Sequence, residues 1–467
     1  MNNAQNQILT LNNIPLKSVY FVGIGGIGMS AVARYLLAKN VKVSGYDLKE
    51  TALTQTLAKE GAVIHYEDDV NKIDKEADLV VYTPAIPSSH KELNYFIENN
   101  YIVVKRSDIL GWITQNSFNI CVAGSHGKTT VTTMIGYLLR EAGQGVNAFL
   151  GGIAANYNSN FWSSDNNVSV IEADEYDRSF HKLYPDVAII TAMDADHLDI
   201  YETAENVEEA YLTFASRLKQ DGCLITKKGL KREKEFNAEK HITYHLNDKT
   251  ANVFTENIRV EEGAYVFNVN YQGEVIQDIY LPVGGLHNVE NILAAIAVAK
   301  QLNVGNEAII KALKEFKGVR RRFEWILHRS EEQHTVLIDD YAHHPEELNA
   351  LISGVRSLYK NEKLLLIFQP HLYSRTRDNA TAFAESLDKA DDVVVLPVYP
   401  ARELPIEGVT SELITNRMKL ENKAVLSKSE MLEKIKNKNH NLIVMAGAGD
   451  IGEMTEDVKK IILDKTK

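Results

Sequence analysis

Cysteine is nearly absent. Cys121 and Cys223 are the two in 467 residues, too few for a disulfide framework, so a reducing compartment is expected. A basic excess is missing too. Lys and Arg number 51 against 63 Asp and Glu, for a formal net charge of -12 and a pI of about 5.7. A general nucleic-acid binder needs the opposite balance, so no nucleic-acid partner is expected, although a local nucleotide site is not excluded. No apolar run approaches the roughly 20 residues of a membrane span. The start, MNNAQNQILTLNNIPLK, lacks a basic segment followed by an apolar core. Membrane insertion is therefore not expected, and the cytoplasm is. Short-period repeats and low-complexity tracts are lacking as well.

What is present fits a globular protein. Hydrophobic residues make up 45% and charged ones 24%, and the length suits about three domains of roughly 150 residues. A buried strand is predicted over 18–24 and a helix over 28–39, with further strands at 41–46, 78–82 and 101–104. A second unit opens with a strand at 118–123 and a helix at 128–142, then strands at 168–172 and 187–191. Between 240 and 281 short alternating runs predict an antiparallel hairpin turning at Gln272-Gly273. Helices are predicted at 288–303 and 306–315. A third unit starts near 335 with HTVLIDDY and repeats the alternation of strand and helix. Such alternation implies α/β architecture with parallel, doubly wound sheets. Boundaries are expected near 115 and 325.

Two glycine loops follow apolar strands. In the first, Gly23, Gly25, Gly26 and Gly28 allow a tight turn and close approach of backbone to a pyrophosphate at a helix N-terminus. Asp47, after the next strand, can accept from a ribose hydroxyl. This loop alone fits a dinucleotide-dependent dehydrogenase, or a turn kept for packing. The second loop, Gly124-Ser125-His126-Gly127-Lys128-Thr129-Thr130, is a phosphate-loop variant with Val122 where the first glycine usually stands. Its N–H groups can wrap phosphate oxygens, Lys128 can reach the β- and γ-phosphates, and Thr129 can ligate Mg²⁺. Acidic clusters end two later strands: Glu172-Ala-Asp174-Glu175, and Asp194, Asp196, His197 and Asp199. Hard oxygens with one imidazole suit Mg²⁺ or Mn²⁺. A nucleotide-binding regulator without catalytic activity would also use this loop, but would leave the third unit idle. That unit carries DDYAHHPEE, with Asp339, Asp340, Tyr341, His343 and His344, and FQPHLYSRTRD, with His371, Arg375 and Arg377. Histidine can move protons and arginine can clamp carboxylates. His344 and Glu346 also fit a helix start with Pro345 in the first turn.

Together FVGIGGIGMSAVA, AGSHGKTT, EADEYDRSF, DADHLDIY, GGLHNVENILAA, GVRRRFE, DDYAHHPEE, FQPHLYSRTRD, PVYPARELPIEGV and AGAGDIG resemble the Mur ligase family, from about residue 18 to the end. The resemblance implies three domains: a Rossmann-like UDP-sugar domain over 1–115, a central P-loop ATPase domain over 116–325, and a Rossmann-like amino-acid domain over 326–467. The first loop then holds a UDP-sugar and not a redox cofactor, and the second holds the ATP that is consumed. GIGGIGMS, DHLDIY and PHLYSRTRD resemble the alanine-adding branch, so the expected substrates are UDP-N-acetylmuramate, L-alanine and ATP. An oligomer is possible. By resemblance, Thr129, Glu172 and His197 ligate metal. His287, Asn288, Asn291 and Arg322 serve ATP, and Asp340 or His343 accepts the amine proton. Tyr341, His343, Arg375 and Arg377 surround the amino acid. Closure of the domains is expected to exclude water. Relatives commonly carry arginine where Leu372 stands here, and residues 198–217 contain no lysine for a metal-bridging modification.

Overall fold

Ser18–Val22 (β1) is buried along its whole length, as an unbroken apolar run requires of a strand covered on both faces. In the computed structural model, which describes residues 9–195, 198–261, 263–329, 333–401, 403–437 and 440–465, β1 lies inside a five-stranded sheet. Its neighbours are β2 (Lys42–Tyr46), β3 (Val63–His65), β4 (Leu79–Tyr82) and β5 (Val103–Lys105). The order is β3-β2-β1-β4-β5, parallel throughout. The order reverses at β1, and ligands bind at the carboxyl end of such a switch point. The first glycine loop is there, and α1 (Ile27–Ala38) leaves it.

The next sheet contains β6 (Phe118–Ala123), β7 (Asn147–Ala154), β8 (Ser159–Trp162), β9 (Val168–Glu172), β10 (Val187–Ile190), β11 (Cys223–Lys227), β12 (Lys240–His245), β13 (Val253–Glu261), β14 (Ala264–Tyr271) and β15 (Glu274–Leu281). Their order is β8-β7-β9-β6-β10-β11-β12-β13-β14-β15. β7 and β8 form an antiparallel hairpin, and the strands from β7 through β13 in that order are parallel. α2 (Lys128–Glu141) leaves the loop after β6, and α3 (Leu286–Gln301) follows β15.

A six-stranded sheet completes the chain, in the order β16-β17-β21-β18-β19-β20. It comprises β16 (Glu324–Leu327), β17 (Val336–Asp340), β18 (Leu364–Phe368), β19 (Asp392–Val395), β20 (Lys423–Val425) and β21 (Leu442–Ala446). Only the β16–β17 pairing in it is antiparallel. α4 (Pro345–Leu358) follows β17, and α5 (Tyr373–Leu387) follows β18. By contacts the chain divides into two compact units. One holds Met1–Glu256, Asn268–Ile279 and Glu290–Leu313, the other Asn257–Phe267, Tyr280–Val289 and Lys314–Lys467.

The predicted hairpin is half right. Gln272 and Gly273, at φ 50° and 93°, join β14 to β15 in a two-residue turn, where both central residues need positive φ. Lys240–His245 is instead a parallel strand beside β11. Its alternating pattern is that of a half-buried strand of either direction.

Behind the first sheet lies a buried polar network. Tyr20 donates to Glu92 Oε2 at 2.6 Å, and Asp69 N donates to Oε1 at 2.9 Å. Glu92 has no solvent exposure, and burial raises its carboxyl from 4.5 to about 7. A folded-state pKa above the unfolded one means the fold favours the protonated form. That stabilisation is complete below about pH 4.5 and is lost as pH rises through 7. Glu92→Gln should therefore flatten the decline of melting temperature between pH 5 and 8. The difference is worth roughly 2–3 kcal/mol. Parallel wild-type and variant profiles in thermal unfolding would refute the assignment.

Candidate active site

The phosphate loop is shaped by two glycines. Gly124 has φ +140°, and a Cβ there would lie 2.0 Å from Thr191 Oγ1. Gly127, at φ +81°, is the N-cap of α2. A Cβ on Gly127 would approach Asn291 Oδ1 at 2.9 Å, so Asn291 on α3 lies against this loop. Ser125 Oγ accepts from Asp194 N at 2.9 Å, and the half-exposed His126 has Nε2 3.8 Å from Asp194 Oδ2. Lys128, Thr129 and Thr130 open the helix.

Lys128 Nζ donates to Gly124 O and to Glu175 Oε1, both at 2.6 Å. Glu175 is buried, and burial raises its carboxyl against the opposing pull of Lys128. Thr129 Oγ1 donates to Glu172 Oε1 at 3.0 Å, and Gly151 N donates to Oε2 at 2.9 Å. Burial raises Glu172 as well, despite the nearby Lys128 and the Thr129 hydroxyl. A hydroxyl and a carboxylate at this distance beside a phosphate loop form a pair of hard donors that fits Mg²⁺ or Mn²⁺. His197 and Asp196 lie outside the described residues, as does the side chain of Asp199.

In the first loop Gly23 has φ +88°, and Gly26 is the N-cap of α1. Asp47 Oδ2 accepts from Gly25 N at 2.7 Å, so the carboxylate braces the loop. Arg106 was not singled out in the sequence. A Cβ on Gly28 would lie 3.0 Å from its Nε, and its Nη2 is 3.5 Å from Asp174 Oδ2. That places a guanidinium over the loop. The only sequence signal is its position after an apolar strand. Glu175, visible within EADEYD, likewise gains its role only from the fold.

The second unit gathers another cluster. Asp340 Oδ2 accepts from Phe323 N at 2.6 Å and Oδ1 from Ala342 N at 2.7 Å. Burial raises Asp340 to about 6. Both of its oxygens are engaged by backbone, which suits a brace better than a proton acceptor. Nδ1 of His343 faces Tyr341 O at 2.9 Å. A carbonyl only accepts, so Nδ1 carries the proton and Nε2 keeps its lone pair. Burial lowers the His343 pKa, which keeps the ring neutral near pH 7. Arg321 and Arg322 place their guanidiniums 5.1 and 5.6 Å from the Tyr341 ring centre. Arg375 Nη1 lies 3.4 Å from His371 Nδ1, and His371 stacks on Tyr399. Arg377 is exposed and paired with Asp378 at 2.7 Å. His344 is the N-cap of α4 in a capping box with Glu347, and Pro345 is in the first turn, so the helix-start alternative holds for His344. On α3, Asn288 Nδ2 donates to Gly284 O at 2.7 Å, and the His287 ring packs on Gly285, where a Cβ would meet Cε1 at 2.3 Å.

Three family models match in chain order: Mur ligase family, catalytic domain, over 18–118; Mur ligase middle domain over 122–299; and Mur ligase, glutamate ligase domain, over 321–451. The chain belongs to the Mur ligase family. Within it, the chain is 45% identical over 458 residues to a UDP-N-acetylmuramate–L-alanine ligase of Flavobacterium johnsoniae, covering 97% of this chain and 99% of that one. It is 46% identical to the enzyme of the same name from Flavobacterium psychrophilum, covering 98% and 100%. Among solved structures, a UDP-N-acetylmuramate–alanine ligase of Thermotoga maritima aligns with a TM-score of 0.81 at 28% identity, over 96% of this chain and 99% of that one. A murein peptide ligase of Psychrobacter arcticus shares the fold, with a TM-score of 0.66 at 21% identity over 96% and 98%.

Gly25→Val tests the first loop. A Cβ there would lie 2.6 Å from Thr54 Cγ2 and 2.8 Å from Asp47 Oδ2, so the brace must move. UDP-sugar binding by calorimetry should weaken at least about tenfold, with ATP binding little changed. Unchanged UDP-sugar affinity, or tight competing NADH binding by the wild type, would contradict this use of the loop.

Proposed function

We propose that this chain joins L-alanine to the lactyl carboxylate of UDP-N-acetylmuramic acid, with ATP converted to ADP and phosphate, in the cytoplasmic assembly of peptidoglycan precursors. The observation that carries the proposal is near-full-length identity of about 45% to ligases of that name. The three family models also support a division near residues 120 and 320.

The reaction divides into two displacements. A lactyl carboxylate oxygen attacks the γ-phosphorus as the bond to the β,γ-bridging oxygen breaks, giving an acyl phosphate and ADP. The alanine nitrogen then attacks the acyl carbon, the carbon–oxygen bond to phosphate breaks, and the nitrogen loses a proton. Two anions must meet in the first step. Lys128 leaves Glu175 and Gly124 O to hold the γ-phosphoryl oxygens, while the loop N–H groups hold those nearer the nucleotide. Thr129 and Glu172 would hold Mg²⁺, which when bound offsets charge on the phosphates. Asp47 and Arg106 shape the loop that receives the diphosphate of the sugar nucleotide.

The second step falls to the second unit. Nε2 of neutral His343 takes the amine proton, Asp340 fixes the strand end that carries it, and Arg375 holds the alanine carboxylate in a charge-assisted pair. Asn291 flanks the phosphate loop, and the family resemblance assigns His287, Asn288 and Arg322 to ATP.

Phosphate release with ATP, Mg²⁺, UDP-N-acetylmuramate and each of alanine, glycine and serine tests the activity. Alanine should give the highest kcat/KM, and no amino-acid-dependent release with any of them would reject the proposal. Lys128→Ala should lower turnover on the order of 10²–10³-fold with the fold retained. Near-normal turnover would remove ATP from this loop.

Acyl phosphate formation, trapped by borohydride, separates the two steps. Glu172→Ala should fail to form it. Arg375→Ala should form it and raise the KM for alanine, with Arg377→Ala close to wild type. The reverse result would transfer the clamp to Arg377. Loss of acyl phosphate in both arginine variants would end the division of labour between the units.

A further inference from the structure

One hairpin, β7–β8, bonds groups adjoining both ligand loops of the first unit. β7 touches the ATP side, because its Gly151 N donates to Glu172 Oε2 at 2.9 Å. A Cβ on Gly151 would lie 2.3 Å from that oxygen, so the strand's backbone and the carboxylate are in close contact. β8 touches the other side. Asn160, with no solvent exposure, donates from Nδ2 to Ile27 O at 2.6 Å and to Ser30 Oγ at 2.8 Å. Both acceptors lie in the first turn of α1, directly behind the first glycine loop.

Asn160 Oδ1 accepts from Arg34 Nη1. Arg34 is 7% exposed, and its Nε donates to Glu60 Oε2 at 2.7 Å. All the hydrogen-bonding capacity of the Asn160 amide side chain except one oxygen lone pair is engaged. The β7–β8 pairing shifts register between Ser159 and Phe161, and such an irregularity re-aims the side chain at its centre. Tyr35 of α1 packs on Phe149 of β7 and Phe161 of β8, with ring centres 5.4 and 6.2 Å apart. Arg34 Nη1 also donates to Ser159 Oγ at 3.3 Å, so the amide and this guanidinium supply the directional bonds in a contact that is otherwise apolar.

We infer that Asn160 is a positioning residue, which fixes the sugar-nucleotide loop relative to the Glu172 carboxylate so that the substrate carboxylate and the γ-phosphorus meet in line. This rests on the ligase function proposed above. Apolar packing sets the distance between two elements but not their sliding register, whereas three hydrogen bonds from one amide set both. An error of about 1 Å between reacting atoms can cost on the order of 10²-fold in rate without a contact to either ligand being lost.

The test measures binding and turnover separately in the full chain. Asn160→Ala should lower kcat at least about tenfold, with acyl phosphate formation slowed to the same extent. Dissociation constants for ATP and for UDP-N-acetylmuramate, each measured alone, should change less than about threefold. Asn160→Asp keeps the acceptor for Arg34 and loses both donors, so it should behave like Asn160→Ala. Arg34→Ala keeps both donors and should retain most of the wild-type kcat. A kcat loss that tracks only the fraction unfolded, weakened binding with kcat intact, or full activity of Asn160→Asp would each overturn the inference. If the wild type itself shows no alanine-dependent phosphate release, the ligase function fails instead, and the two failures are told apart by that control.

Discussion

The Glu172 carboxylate, taken largely out of water at the end of β9, is the constraint around which the first unit is built. A carboxylate in that position is costly unless donors or a cation meet it. The chain brings the Thr129 hydroxyl from α2 and the Gly151 N–H from β7, yet burial still outweighs them. The shortfall is what a divalent cation can supply. Glu172 therefore demands glycine at 151, a hydroxyl at 129, and a hairpin strand beside the phosphate loop. Lys128 and Glu175 follow the same logic with opposite charges. Lys128 donates to a buried carboxylate and to a loop carbonyl, so its positive charge is held at the mouth of the loop.

Much of this was legible in the chain. Both glycine loops follow largely apolar strands, and strand, glycine and helix are contiguous in sequence, so local patterning suffices. The same holds for His344-Pro345, whose capping chemistry is written within four residues. What could not be read depends on partners far along the chain. Arg106 reaches Gly28, and Asn160 reaches Ile27 and Ser30, across separations that no periodicity encodes. Lys240–His245 was misassigned because alternation reports a half-buried strand and not its direction. β16, four half-buried residues just ahead of the third unit's first predicted strand, carries too weak a pattern to register.

In the second unit, proton acceptance separates two groups that looked equivalent as residues. Asp340 is pushed up to about 6, an attractive value for a base, but its two oxygens already accept from Phe323 N and Ala342 N. Taking a proton would weaken one of those bonds and loosen the end of β17. His343 has no such conflict. Its Nδ1 proton is committed to Tyr341 O, and that commitment leaves the Nε2 lone pair to receive a proton. The proposed ligation needs a base that is unprotonated and not tied to backbone, and between these two groups the histidine fits that need better.

In the same unit, the turn at Leu372 sets the directions of Arg375 and Arg377. Leu372 sits at φ +71°, a conformation that a branched residue adopts only when its surroundings hold it. Its N–H is tied to Tyr399 O at 2.9 Å, and Tyr399 stacks on His371. α5 begins at the next residue, so this strained turn sets the helix's rotational phase. With about 100° per residue, Arg375 and Arg377 are separated by roughly 200° and face opposite ways. The turn that aims Arg375 at His371 therefore sends Arg377 to solvent, where it pairs with Asp378. The opposite directions of the two arginines thus follow from where the helix begins, at the turn of residue 372.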